Sequence, residues 1–218
     1  MYKEILLESP SKYVFEGVIE LDGVRLTTKD GRICCEVIVP EKAYEMAEKI
    51  ALLLTLLFGE SFTLEKIILI FYRYVEEKRF SKEELSKIES KLKELLNKLS
   101  KLKHGEDILR AIKWWRKGYL ENDAVDRFLD YYIAFEILAS VTGYKGKYRD
   151  WVEKFSEKYS ITYKPDGRVS IKNIRNWLMH APGPEKDKAE ELVLLCVNRF
   201  GKELLEAIRK VIDEATPS

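Results

Sequence analysis

Glutamine is absent from the 218-residue chain, histidine occurs twice and cysteine three times. Cys34 and Cys35 are adjacent, Cys196 is distant and no C-x-x-C pair exists. That pattern excludes a disulfide framework and a structural zinc site. His104 and His180 fall in different segments, leaving little material for a metal centre, so neither a metal nor another cofactor is expected. No long apolar run is present: Ile50 to Phe58 is about half of what a bilayer-spanning helix needs. The opening MYKEILLESPSKY lacks the apolar stretch and small-residue cleavage site of a signal peptide, so the expectation is a cytoplasmic protein without a membrane partner. A Gly-rich phosphate loop, an H-E-x-x-H helix and a nucleophile elbow are also missing. A formal charge of only +1 excludes a globally basic nucleic-acid mat. Dense Lys and Glu without Gln is a balance common in proteins of heat-loving organisms.

What is present is the material of a folded protein, 46% hydrophobic and 34% charged. The first forty residues read as strands. Tyr13–Leu21 is aromatic and β-branched, D-G at 22–23 turns the chain into Val24–Thr28, and D-G at 30–31 turns it into Arg32–Val39, a three-stranded meander. Pro40 stops it. From Glu41 to Phe58 the apolar residues recur at helical spacing, with Gly59 as a C-terminal cap. Phe62–Tyr74 is ambiguous between a buried strand and a helix. Ser81–Leu102 is a polar helix opened by a Ser81/Glu84 capping box.

Beyond His104 everything reads as helix: Ile108–Leu120, Ala124–Val141 after an E-N-D signal, Tyr148–Tyr159, Ser170–His180, and a last helix from about Glu185 to Glu214 beyond A-P-G-P. The fold class is mostly α. A small β-containing (α+β) N-terminal module over residues 1–80 precedes a helical bundle over 81–218 with its core in 104–215.

Chemistry concentrates in the second half. Between Val141 and His180 nine Lys/Arg stand against four acids, a local net of +5. The stretch is either a solvated lysine-rich surface or a nucleic-acid contact. Within it, S-I-K-N-I-R-N-W-L-M-H sets Arg175 and His180 five apart with Asn176 beside the arginine. Upstream, Glu136 lies inside the apolar run YYIAFEILASV. That run reads as crossing the bundle centre, where a carboxylate requires a partner.

D-R-F-L-D-Y-Y-I-A-F-E-I-L (126–138) followed by I-R-N-W-L-M-H (174–180) resembles the HEPN superfamily, most closely its Apea-like branch. The signature of that superfamily is Arg, four to six residues, then His, often with Asn after the Arg. The likeness covers roughly residues 104–215. It implies a helical bundle that works as a homodimer and cuts RNA without metal, in toxin–antitoxin, antiphage or RNA-processing settings; a cognate antitoxin is then a possible protein partner. Some members of the family are catalytically dead.

The chemistry also follows from residue types. RNA supplies its own nucleophile, the 2′-hydroxyl. A histidine provides acid–base work near neutrality and an arginine stabilises the phosphorane charge. The expected roles are therefore general acid–base for His180 and phosphate binding for Arg175. Asn176 orients the phosphate or holds the His180 tautomer, and Glu136 supports the site. Lys145, Lys147, Arg149, Arg168 and Lys172 are the expected RNA contacts.

Geometry qualifies this. Positions five apart on a regular helix are separated by about 140°, so Arg175 and His180 share a face only if the helix ends or bends between them, or if two copies complete the site. Plainer roles compete. His180 can cap a helix end, Arg175 can pair structurally with Glu136, and Trp177, Leu178 and Met179 can be core or dimer interface. Trp114 and Trp115 read as core or as base-stacking groups, and His104 as surface. The alternative function is a non-catalytic module whose bundle dimerises and binds RNA or protein, while the N-terminal module senses a ligand.

Overall fold

The computed structural model describes residues 3–21, 23–37, 42–64 and 77–214. The chain divides into two units, Met1–Ser100 and Lys101–Ser218, a small β-sheet module and a helical bundle.

In the first unit, β1 (Lys3–Glu8), β3 (Ile19–Leu21), β4 (Val24–Lys29), β5 (Arg32–Val37) and β6 (Thr63–Leu64) form an antiparallel sheet in the order β3-β4-β5-β1-β6. The meander is there as the turn chemistry requires. Asp30 and Gly31 both have positive φ, 52° and 79°, which is the type I′ geometry that matches strand twist, and Lys29 pairs with Arg32 across it. Helix α1 (Ala43–Phe58) packs against β1, β5 and β6. It ends at Gly59, left-handed at φ 71°, whose N–H reaches the Thr55 carbonyl, so the glycine caps as its spacing indicates. Pro40, Glu41 and Asp22 lie outside the described residues, as do the ends of two expected elements, 38–39 and 65–74.

Two expectations need correction. The single strand Tyr13–Leu21 is instead two strands, β2 (Lys12–Phe15) and β3. β2 leaves the meander and pairs parallel with β7 (Glu77–Phe80), in register from Lys12↔Glu77 to Phe15↔Phe80. The reason is a side-chain cluster assembled from distant segments. The Tyr13 ring lies against Phe58, Phe62 and Phe80 at centroid distances of 5.4, 5.2 and 6.0 Å. Glu60 accepts hydrogen bonds from the Ser11 and Tyr13 hydroxyls (3.0 and 3.1 Å) and pairs with Lys78.

The second correction is the division of the chain, which falls after Ser100 instead of at residue 81. Helix α2 (Lys82–Lys101) belongs to the first unit: the Glu89 carboxylate accepts the Glu20 N–H at 3.2 Å, and a Cβ at Gly17 would touch Leu85 Cδ1 at 3.4 Å. Its capping box is formed, with Ser81 N–H on Glu84 Oε2 at 2.8 Å and Glu84 N–H on Ser81 Oγ at 3.3 Å.

The second unit contains α3 (Gly105–Leu120), α4 (Ala124–Val141), α5 (Trp151–Tyr159), α6 (Ile171–His180) and α7 (Pro184–Glu214). α3 and α4 form a hairpin that packs along α7. Asp123 starts α4 by accepting the N–H groups of Val125 (2.8 Å) and Asp126 (3.0 Å). The three helices meet at one ring. Built at Gly118 of α3, a Cβ would lie 2.8 Å from Tyr131 Cδ1; built at Gly201 of α7, it would lie 2.5 Å from Tyr131 Cε2. Only glycine lets both backbones close on the α4 tyrosine. Trp115 stacks on the same ring at 6.0 Å and donates Nε1–H to the Gly201 carbonyl at 2.6 Å, so it is a core residue. Deeper in the bundle Phe135, fully buried, contacts Phe155, Trp151 and Phe200 and so joins α4 to α5 and α7.

Gly201→Ala should therefore destabilise the bundle by about 1–3 kcal/mol through overpacking. Leu195→Ala, on a side chain 78% exposed, should change stability by no more than about 0.5 kcal/mol. Equal urea midpoints for the two variants would refute the clamp.

Burial also pushes the Tyr131 and Tyr159 phenols from 10.0 up to about 12. The unfolded chain releases these protons near pH 10 while the folded chain keeps them, so stability is intact below pH 10 and falls as pH rises toward 12. Thermal melts across that window should show the decline, and Tyr131→Phe should make it shallower; an unchanged slope would remove Tyr131 as a cause.

Candidate functional site

The site is built on α6 and the loops that lead to it. Asp166 turns the approach by accepting the N–H groups of Arg168 (2.9 Å) and Val169 (2.7 Å), and these backbone donors hold its carboxyl below the usual range. Glu203 of α7 receives both the N–H and the hydroxyl of Thr162, at 2.7 and 2.9 Å, which anchors the segment before α6. Ser170 caps α6 through the Asn173 N–H at 3.2 Å. Ile171 and Ile174, fully buried, fix the helix against the bundle.

α6 is helical as far as His180 and stops at Ala181, whose backbone is extended (φ −86°, ψ 136°). No bend intervenes between Arg175 and His180, so their side chains leave the helix about 140° apart. Exposure agrees. Arg175 and Asn176 are half-buried, whereas Met179 and His180 are exposed. Arg175 donates Nη1–H to Asn176 Oδ1 at 3.3 Å and has no carboxylate partner among the described residues. Asn176 and His180, four apart, occupy neighbouring positions on one face, although no hydrogen bond joins them. The His180 imidazole is exposed and likewise has no hydrogen-bond or ion-pair partner among the described residues.

Glu136 departs from expectation. Its side chain is 29% exposed and pairs with Lys145 Nζ at 3.1 Å, not with Arg175. α4 buries Tyr132, Phe135, Leu138 and Ala139, while Ile133, Glu136 and Ile137 fall on a flank that stays partly open. The run is apolar around its circumference, but the bundle covers only part of it. Tyr132, one turn before Glu136, is the residue that sequence reading missed. Its phenol is raised by burial and then by the Glu136 carboxylate, with the Arg175 guanidinium acting in the opposite sense. Tyr132 therefore lies within electrostatic reach of both groups, and its i, i+4 spacing to Glu136 was the available signal.

The basic residues separate into two groups. Lys145, Lys154 and Lys158 are engaged by Glu136, Asp150 (3.6 Å) and Glu214 (3.1 Å). Lys147 lies over the Tyr148 ring at 5.4 Å, and Arg149, Arg168 and Lys172 are exposed without an ion-pair partner among the described residues. Trp114, half-buried, carries Lys117 Nζ over its ring at 4.9 Å. Trp177 and Leu178 are half-buried. His104 is exposed next to Asp107 at 3.4 Å. Among the described residues no group of three or more His, Cys, Asp or Glu is placed to hold a metal ion, and no helix is long and apolar enough to cross a membrane. No family model, curated protein or solved structure matches the chain.

Proposed function

We propose that the helical unit is a metal-independent endoribonuclease of the HEPN type, cleaving RNA through 2′-hydroxyl attack to leave a cyclic phosphate. The observation that supports this reading is the state of the two motif side chains. Arg175 is a guanidinium without a carboxylate, half-buried beside an amide oxygen, and so retains donors for a phosphate. His180 is an exposed imidazole with no competing partner at the end of its helix. Both flank a loop in which Lys147, Arg149, Arg168 and Lys172 have no acid to neutralise them.

Because the two side chains diverge on one α6, the reading places the complete site at a two-fold axis, where the histidine of one copy approaches the arginine of another. The surface has material for such a contact. Leu194 and Leu195 on α7 are 70% and 78% exposed, and Met179 on α6 is 51% exposed. A toxin or antiphage effector, held in check by a protein antitoxin, is the setting this activity implies. The same divergence favours the second reading, a non-catalytic bundle that binds RNA or protein.

Cleavage of a mixed RNA pool in the presence of EDTA separates the two. The wild type should cut and leave 2′,3′-cyclic phosphate ends, and His180→Ala and Arg175→Ala should each lose about 100-fold or more in rate. A metal requirement, or full activity in His180→Ala, rules out this mechanism. RNA binding without cutting by any of the proteins supports the binding module. Leu194→Asp/Leu195→Asp should yield monomers and abolish cutting while the fold persists; an active monomer would refute the two-copy site.

A further inference from the structure

The first unit holds a cleft that none of the chemistry above uses. Its volume is about 680 Å³, the size of a small-molecule site and far larger than a packing defect. Leu21 and Val24, paired across β3 and β4, form its floor together with Ile50 of α1, and all three are buried. Met46 and Leu96 extend the apolar surface up the two walls and remain half-buried. The opposite character comes from α2. Ser90, Lys93, Asn97 and Ser100 line the cleft at spacings of three, four and three, one face of a helix. Lys49 of α1 stands across from them.

An apolar floor beneath hydroxyl, amide and ammonium groups fits an amphipathic ligand, with its hydrocarbon body down and its polar group up. Charge decides the sign of that group. From Glu89 to Lys101, α2 carries four lysines against two glutamates, and Lys49 adds to the positive side. Glu94, the acid on the cleft wall, is already engaged by Lys98 at 2.8 Å and Lys91 at 3.2 Å; Glu89 is engaged by Lys93 at 2.7 Å. The acids are thus spent on lysines, and the residual field is positive.

We propose that this cleft binds a small organic anion with an apolar body, of the aryl- or alkyl-carboxylate class. The anion sits between Lys49 and Lys93, and the body rests on Leu21, Val24, Met46 and Leu96. The assignment is independent of the ribonuclease reading, because every residue in it belongs to the first unit.

Titration of the full chain with anilinonaphthalene sulfonate, an aromatic monoanion whose fluorescence rises on burial, tests it, with octanoate as competitor. Saturable binding displaced by octanoate is expected. Met46→Trp, which fills the cleft, should weaken it by about tenfold or more, and Lys49→Glu, a change outside the core, by about threefold to tenfold. Near-UV circular dichroism should match the wild type in both variants. Absence of saturable binding, failure of octanoate to compete, or an unchanged affinity in Lys49→Glu overturns the proposal.

Discussion

The bundle depends on a single close approach, the Tyr131 ring held between the backbones of Gly118 and Gly201. Helix axes ordinarily stand 8–10 Å apart because side chains fill the gap. Here glycines on α3 and α7 remove two of those side chains, and an aromatic ring from α4 takes up both vacancies. The indole of Trp115 then closes the arrangement with a hydrogen bond to the Gly201 carbonyl, which satisfies its buried donor as the interior requires. The position of α7 along the hairpin is thereby set at one point, and Phe128, Phe135 and Phe200 pack outward from it.

That placement carries through to the candidate site. α6 has only two fully buried residues, Ile171 and Ile174, and is too short to hold its position by its own helicity. It is positioned by what α7 offers, through the Glu203 carboxylate that fixes Thr162 and through the packing of the two helices. Arg175 directly follows the last of those buried residues, so it faces the bundle's flank near Tyr132. His180 falls on the final turn, beyond the buried part, and is exposed for the same reason. The divergence of the two motif residues is thus a consequence of helix period and of where the buried stripe ends.

The helices of the second unit were readable because each carries its own punctuation: Asp123 before α4, Ser170 before α6, Gly183-Pro184 before α7. Local signals of this kind act within a few residues, and the structure uses them where they occur. The pairing of β2 with β7 was not readable, since a parallel pair joins segments some sixty residues apart and rests on aromatic contacts that no short window contains. Glu136 shows the same limit within one helix. An apolar run indicates that neighbours exist but not on how many sides, and one open flank was enough to give the carboxylate to Lys145. The angular separation of Arg175 and His180 needed only their spacing, whereas Tyr132 and Gly201 acquire meaning only through helices distant in sequence.

A net charge of +1 does not weigh against RNA as a substrate, because the relevant quantity is charge within a Debye length, about 8–10 Å, and not the sum over the chain. Much of the acid in this protein is committed locally. Glu136, Asp150 and Glu214 each hold a lysine of the 145–158 segment, and Asp166 is occupied by backbone N–H groups. What remains around α6 is Arg149, Arg168, Lys172 and Arg175, cations with no acid partner among the described residues. A phosphate approaching this face meets those charges first, while the compensating acids lie elsewhere, screened or already paired. Binding of such a kind draws its free energy from counterion release. Four unpaired cations are enough to hold a short single strand while leaving longer-range attraction weak, which suits an enzyme that must release what it cuts.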